Sequence, residues 1–185
     1  MSGSKVSGPT KGTVIKAEIS KLLKLAEAGE EVVITSSGKP ATKIKSTASL
    51  LRTFIDTNIL VYAEDGSNSV KKLKATELIL EHRRQKTGVV SQQILQEFFV
   101  TVRKKLKLDA EIARYKVEFH AKFIVAEPTV NDILAAIDMH RLHGFSYWDA
   151  LVLRMAKQTG CRVVLTEDLQ HGRMIDGIEI VNPFL

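Results

Sequence analysis

From residue 52 onward the chain alternates short apolar runs with longer stretches in which apolar residues recur every three or four positions. The short runs predict strands at Phe54-Ile55, Gly88–Ser91, Phe123–Ala126, Arg162–Leu165 and Ile178–Val181. The longer spacings predict helices from Ile59 to Ala63, Val70 to His82 (Leu73, Leu78 and Ile79 inward), Gln92 to Leu106, Asp109 to Lys122, Thr129 to Leu142 and Tyr147 to Thr159. Ser91 and Ser146 read as N-caps, and Gly144 and Gly160 as stops. Strands alternating with helices in this order imply a three-layer α/β/α domain over residues 52–185, with a central parallel sheet. Residues 13–46 follow another plan. A Val14-Ile15 strand precedes a helix with the stripe Ile19, Leu22, Leu23 and Ala26. Then come a strand at Glu31–Thr35, a turn at Ser36–Pro40 and a strand at Ala41–Lys45. This small α+β module cannot bury much core alone, so it is expected to dimerise or to lean on the rest. Residues 1–12 read as a flexible leader and residues 47–51 as a linker.

Composition narrows the class. The chain is 44% hydrophobic and 26% charged, as expected of a globular protein. Its longest apolar runs, such as Ile59–Ala63, are too short to cross a bilayer, and the N-terminus lacks the apolar core of a secretory signal. The single Cys161 has no disulfide partner within the chain, and no Cys/His set has zinc spacing. A cytoplasmic protein is expected. The net charge of +6 divides unevenly: residues 1–50 hold eight lysines against four glutamates, and residues 51–185 hold 19 basic against 17 acidic side chains. Were several of those acids engaged by a cation, the remaining surface would suit a phosphate-rich partner.

Four carboxylates stand out. Asp56 and Asp168 each follow an apolar strand, where open α/β sheets place their ligands. Glu97 borders the apolar face of its helix, and Asp149 lies at the start of another helix. Each has a plainer reading. Asp56 can be a helix cap, Glu97 a solvated helix residue, Asp149 half of a capping box with Ser146, and Asp168 a loop opener beside the competing Glu167. Together they would repel one another unless a cation sat among them. Mg²⁺ or Mn²⁺ is the natural occupant for oxygen ligands, and phosphodiester hydrolysis is the natural chemistry. Alternatives are poorer. His82, His120, His140, His143 and His171 show no paired arrangement, and Asn58 stands where an aspartyl phosphatase would carry its second Asp. The run Arg103-Lys104-Lys105-Leu106-Lys107 is either a solvated helix end or an RNA-backbone contact.

The order Phe54-Ile55-Asp56-Thr57-Asn58, Glu97, Tyr147-Trp148-Asp149-Ala150 and Leu165-Thr166-Glu167-Asp168 resembles a PIN domain, in particular a VapC-type toxin. That resemblance implies a metal-dependent ribonuclease in which Asp56, Glu97, Asp149 and Asp168 hold the ion and Thr166 orients water. Thr57 and Asn58 would support Asp56, with Glu167 a helper or bystander. The segment Ile19-Ser20-Lys21-Leu22-Leu23, with Ala28–Thr35 and Gly38-Lys39-Pro40-Ala41, resembles the N-terminal half of a Phd/YefM-type antitoxin. It implies a dimeric DNA-binding module, here without that family's neutralising arm and with Ser36 and Ser37 where members often carry arginine. The expected partners are an RNA substrate, a DNA operator, a second copy of the chain and a separate antitoxin. The competing expectation is a DNA-binding autoregulator whose PIN domain is inactive or only structural.

Overall fold

The computed structural model describes residues 32–36, 39–44 and 51–185; the predicted Val14-Ile15 strand, the Ile19–Ala26 helix, the leader and linker residues 47–50 lie outside them. The chain divides into two units, residues 1–50 and 51–185. In the first, β1 (Val32–Ser36) pairs antiparallel with β2 (Lys39–Ile44), and Val32 lies opposite Ile44. The second strand starts two residues earlier than the spacing predicts and runs through Pro40. A register shift between Ile34 and Thr35 accompanies this start, and a proline is tolerated at such an irregular edge position.

The second unit carries a six-stranded sheet in the order β5-β4-β3-β6-β8-β7. Its strands are β3 (Thr53–Ile55), β4 (Gly88–Ser91), β5 (Ile124–Ala126), β6 (Val163–Leu165), β7 (Met174–Ile175) and β8 (Ile178–Val181). All neighbours are parallel except β7, which returns antiparallel on β8 as a two-residue edge strand. The predicted strands form the expected parallel sheet, and the unpredicted β7 adds one antiparallel hairpin at its edge. Its turn holds Asp176 at φ 51° and Gly177 at φ 81°, and two residues are too few to carry a period-two signal.

Six helices connect the strands: α1 (Thr57–Tyr62), α2 (Ser69–Gln85), α3 (Gln92–Lys104), α4 (Ala110–His120), α5 (Val130–His143) and α6 (Tyr147–Gln158). Their starts follow from local chemistry, because short polar side chains accept the first free N–H groups. Asn68 caps α2, Ser91 caps α3, Asp109 caps α4, and Thr129 with Asp132 forms a reciprocal capping box on α5. Leu73 does not face inward as predicted. It is 63% exposed, while Ala75 and Ile79 form the buried stripe of α2.

The core is the sheet itself, with Phe54, Ile55, Val89, Val90, Val164 and Ile180 all buried, and the helices pack against it. β4 and β5 lie to one side of β3, whereas β6 and β8 lie to the other. Right-handed crossovers then put the helices leading to β4 and β5 on one face, and α5 and α6 on the opposite one. The strand order reverses between β3 and β6, and the crevice beyond their C-terminal ends is the place where such sheets bind ligands.

Candidate functional site

β3 and β6 are in register, with Ile55 beside Leu165, so the next residues of each strand emerge together at the reversal point. The Asp56 N–H donates to the Leu165 carbonyl at 3.1 Å, and the Thr166 N–H donates to Val181 at 3.1 Å. A compact web of side chains grows from this frame. Thr166 Oγ1 donates to Asp56 Oδ2 at 2.7 Å. Asn58 Nδ2 points to three oxygens: Asp56 Oδ2 at 3.2 Å, Thr166 Oγ1 at 3.1 Å and Asp168 Oδ2 at 3.1 Å. The Thr57 N–H donates to Asp56 Oδ1 at 2.7 Å, so the capping reading of Asp56 holds alongside its place in the web. Thr57 Oγ1 donates to Glu97 Oε2 at 2.9 Å, and Gln93 Nε2 donates to Glu97 Oε1 at 2.8 Å. Asp56, Glu97 and Asp168 are thus joined through Thr57, Asn58 and Thr166.

The electrostatics of this web are unbalanced. Burial above all pushes the Asp56 carboxyl up to about 6. The Thr166 and Thr57 hydrogen bonds pull against it, while Asp168 and Glu97 add to the rise. Two amide oxygens at the site, Asn58 Oδ1 and Gln93 Oε1, are buried without a hydrogen-bond partner. Both amides have turned their nitrogens to the carboxylates, which is where positive charge is wanted. A divalent cation fits this donor set. All of the donors are hard oxygens, with no thiol or imidazole among them, and Mg²⁺ or Mn²⁺ favours that chemistry. The side chains of the described residues do not bring three His, Cys, Asp or Glu groups into ligand range of one point.

The remaining candidates stand as follows. Asp149 lies in the first turn of α6. Its Oδ2 accepts the Ser146 hydroxyl at 2.6 Å, and its N–H donates back to Ser146 Oγ at 3.1 Å. That capping exchange, rather than the Asp56 web, takes up its hydrogen bonds. Its helix is braced on α5 by the ion pair of Arg154 with buried Asp132, at 2.8 Å. Thr166 is 1% exposed, and its single hydrogen and both lone pairs are committed to Asp56, Asn58 and the Asp168 N–H, so it serves the frame. Glu167 turns elsewhere: its carboxylate receives Lys71 Nζ and the Tyr62 hydroxyl. His171 accepts the Asn182 N–H at 3.1 Å.

Sequence reasoning missed Gln93, Tyr62 and Lys71. Gln93 stands four residues before Glu97, on the same helix face, and that spacing was a usable signal. Lys71 reaches Glu167 across 96 residues of chain, and nothing local marks it.

Comparison with known proteins agrees with this fold. The profile described as PIN domain matches residues 53–175. The crystal structure of Mycobacterium tuberculosis VapC20, a sarcin-ricin loop cleaving toxin, superposes with a TM-score of 0.54 at 14% identity, covering 63% of this chain and 89% of that one. A toxin-antitoxin complex from Klebsiella pneumoniae superposes at 0.53 with 18% identity, covering 71% and 97%. VapBC2 from Rickettsia felis, bound to a DNA fragment from its promoter, superposes at 0.51 with 18% identity, covering 70% and 97%. These likenesses establish the fold. No curated protein matches the sequence, and among the described residues no helix is long and apolar enough to cross a membrane.

Proposed function

The chain belongs to the PIN domain family, and on that premise we propose that it is a divalent-metal-dependent endoribonuclease of the VapC toxin type. The observation that carries this reading is the web of Asp56, Asn58, Thr166 and Asp168 at the sheet's reversal point, with the Asp56 carboxyl pushed up to about 6 mainly by burial. A carboxyl so placed, beside Asp168 and Glu97, is short of one positive charge. Asp56 and Asp168 would hold the ion, with Glu97 behind Thr57 and Asp149 from the start of α6 completing the set. When bound, such an ion activates water for attack on phosphorus and offsets the charge that develops on the phosphate.

The chain's own residues supply order. Thr166 and the Thr57 N–H fix both oxygens of Asp56, so the carboxylate holds one orientation. Asn58 ties Asp56 to Asp168 and keeps the two from repelling outward. Thr57 and Gln93 clamp the two oxygens of Glu97. In the reaction a water oxygen bonds to phosphorus, the bond from phosphorus to the 3′ oxygen breaks, and that oxygen takes a proton.

The test is incubation of the full chain with total cellular RNA in Mg²⁺ or Mn²⁺, beside Asp56→Asn. Cleavage by the wild type alone, abolished by chelator, is the expected result; no cleavage of any RNA, or equal cleavage by the variant, removes the reading. Residues 13–46 are assigned a Phd/YefM-like role in pairing two copies and contacting operator DNA, on the sequence resemblance. Deleting residues 1–46 is then expected to weaken dimerisation and DNA binding while leaving RNA cleavage in place. Light scattering and gel shift would read the first two effects.

A further inference from the structure

We propose that Lys71 is a positioning residue: together with Tyr62 it holds Glu167, and so fixes the loop that presents Asp168 to Asp56. The proposal rests on the metal-dependent reading above. Glu167 sits between two members of the acidic web, yet its carboxylate is taken by residues of other elements. Lys71 Nζ donates to Glu167 Oε2 at 2.5 Å, and the Tyr62 hydroxyl donates to Oε1. Lys71 Nζ also donates to the Tyr62 oxygen at 3.1 Å. The same ammonium lies 4.3 Å from the Tyr62 ring centre and 5.0 Å from that of Phe184, and those two rings meet edge to face at 5.1 Å. The end of α1, the first turn of α2 and the C-terminal residues therefore converge on one carboxylate of the site loop.

The placement of Lys71 needs a reason. An ammonium in the first turn of a helix opposes the helix dipole, and enclosure by two rings strips part of its water. An ordinary exposed ion pair does little for stability. This one does two specific things. It decides which of two adjacent carboxylates faces Asp56, because Glu167 and Asp168 cannot both turn inward while Glu167 is held. It also neutralises a negative charge next to an acid cluster that already repels itself. Freed from Lys71, Glu167 would be a competing ligand or a further repulsive charge, and the loop would lose its anchor.

The experiment is Mn²⁺ titration of the full chain, followed by electron paramagnetic resonance or calorimetry, with thermal melting to confirm folding. Partners behind the ligands commonly matter about 10–100-fold in metal affinity, so Lys71→Met and Glu167→Ala are each expected to weaken Mn²⁺ by at least about tenfold. The double variant should be no worse than either single one, because both break the same link. Lys71→Arg keeps the ion pair and should restore most of the affinity. Lys74→Met, an exposed lysine one turn along α2, is the charge-matched control. Wild-type affinity in a folded Lys71→Met, or an equal loss in Lys74→Met, overturns the proposal. If Lys71→Met does not fold, Glu167→Ala carries the same comparison. A wild-type chain that binds no Mn²⁺ removes the metal-dependent reading itself, and the proposal with it.

Discussion

Asp56 and Thr166 stand side by side at the ends of paired parallel strands, and the buried Thr166 hydroxyl donates to Asp56 Oδ2 at 2.7 Å. The consequence is that the acid's orientation is built into the sheet register and does not depend on a flexible loop. Thr166 also accepts from Asn58 Nδ2 and the Asp168 N–H, so one hydroxyl joins three members of the site.

Removing that hydroxyl should therefore cost both stability and activity. Thr166→Ala leaves the Asp168 N–H without its acceptor and takes one partner each from Asp56 Oδ2 and Asn58 Nδ2, and is expected to destabilise the fold by about 1–3 kcal/mol. RNA cleavage should fall in parallel, and Thr166→Ser should recover most of both. Urea denaturation with a cleavage assay checks this. An alanine variant as stable and active as wild type would show that the hydroxyl is not the hub of the web.

Asp56→Asn should lower turnover by orders of magnitude, and its pH profile carries a sharper signature. In the metal-free fold burial raises the carboxyl to about 6, above its ordinary 3.8. Between those values the folded state binds more protons than the unfolded one, so this group makes stability fall as pH rises through the window. Above about pH 6 the charged form costs the fold on the order of 1–2 kcal/mol, allowing for partial exposure. Relative to wild type, the asparagine variant should gain stability between pH 4 and pH 7 without metal. Mg²⁺ should erase the gain by stabilising the wild type alone. Melting curves across that range decide it, and parallel curves for the two proteins would contradict the assignment.

Much of this was written in the chain. The capping serines, the glycine stops and the apolar runs mark nearly every element from residue 53 on, because those signals are local. The meeting of Asp56 and Asp168 at one sheet edge was legible for the same reason, since each follows a buried strand. What could not be read was tertiary. The two residues of β7 are too short to show a period. Leu73 looked inward by spacing, yet Ala75 and Ile79 are the residues of α2 that meet the core. Whether Glu167 or Asp168 faces the site is decided by Lys71 and Tyr62, about a hundred residues away in the chain.

The products offer an independent check on the chemistry. Attack by water on phosphorus with departure of the 3′ oxygen leaves a 5′-phosphate and a 3′-hydroxyl. End-labelling and phosphatase treatment of the cleaved RNA would read this directly. A 2′,3′-cyclic phosphate would mean that the ribose 2′-hydroxyl had attacked instead, for which the acid web has no use, and cleavage that survives a chelator would carry the same message.

His120 supplies a prediction far from the site. Sequence reading weighed it only as a catalytic histidine, but it is 1% exposed and lies among aromatic rings. Phe98 and Phe119 meet it edge to face at 4.9 and 5.4 Å, and Phe123 stacks at 6.4 Å. Neither ring nitrogen has a hydrogen-bond partner. Burial lowers its pKa to about 4, with Lys116 and Arg83 adding to the fall. The folded state thus holds the neutral ring while the unfolded chain, near 6.5, takes up a proton sooner. The unfolded state binds more protons between these values, so this group makes stability fall as pH drops from 6.5 towards 4. His120→Phe keeps the shape and removes two unpaired polar atoms, so it should stabilise the protein by about 1 kcal/mol at pH 7.5. The gain should be larger at pH 5, where the wild type also resists protonation, and comparing the two chains at each pH cancels the opposite contribution of Asp56. His120→Leu serves as the second variant should phenylalanine overfill the space. Denaturant midpoints at the two pH values measure it, and a gain that does not grow on acidification would mean that His120 finds a partner in solution.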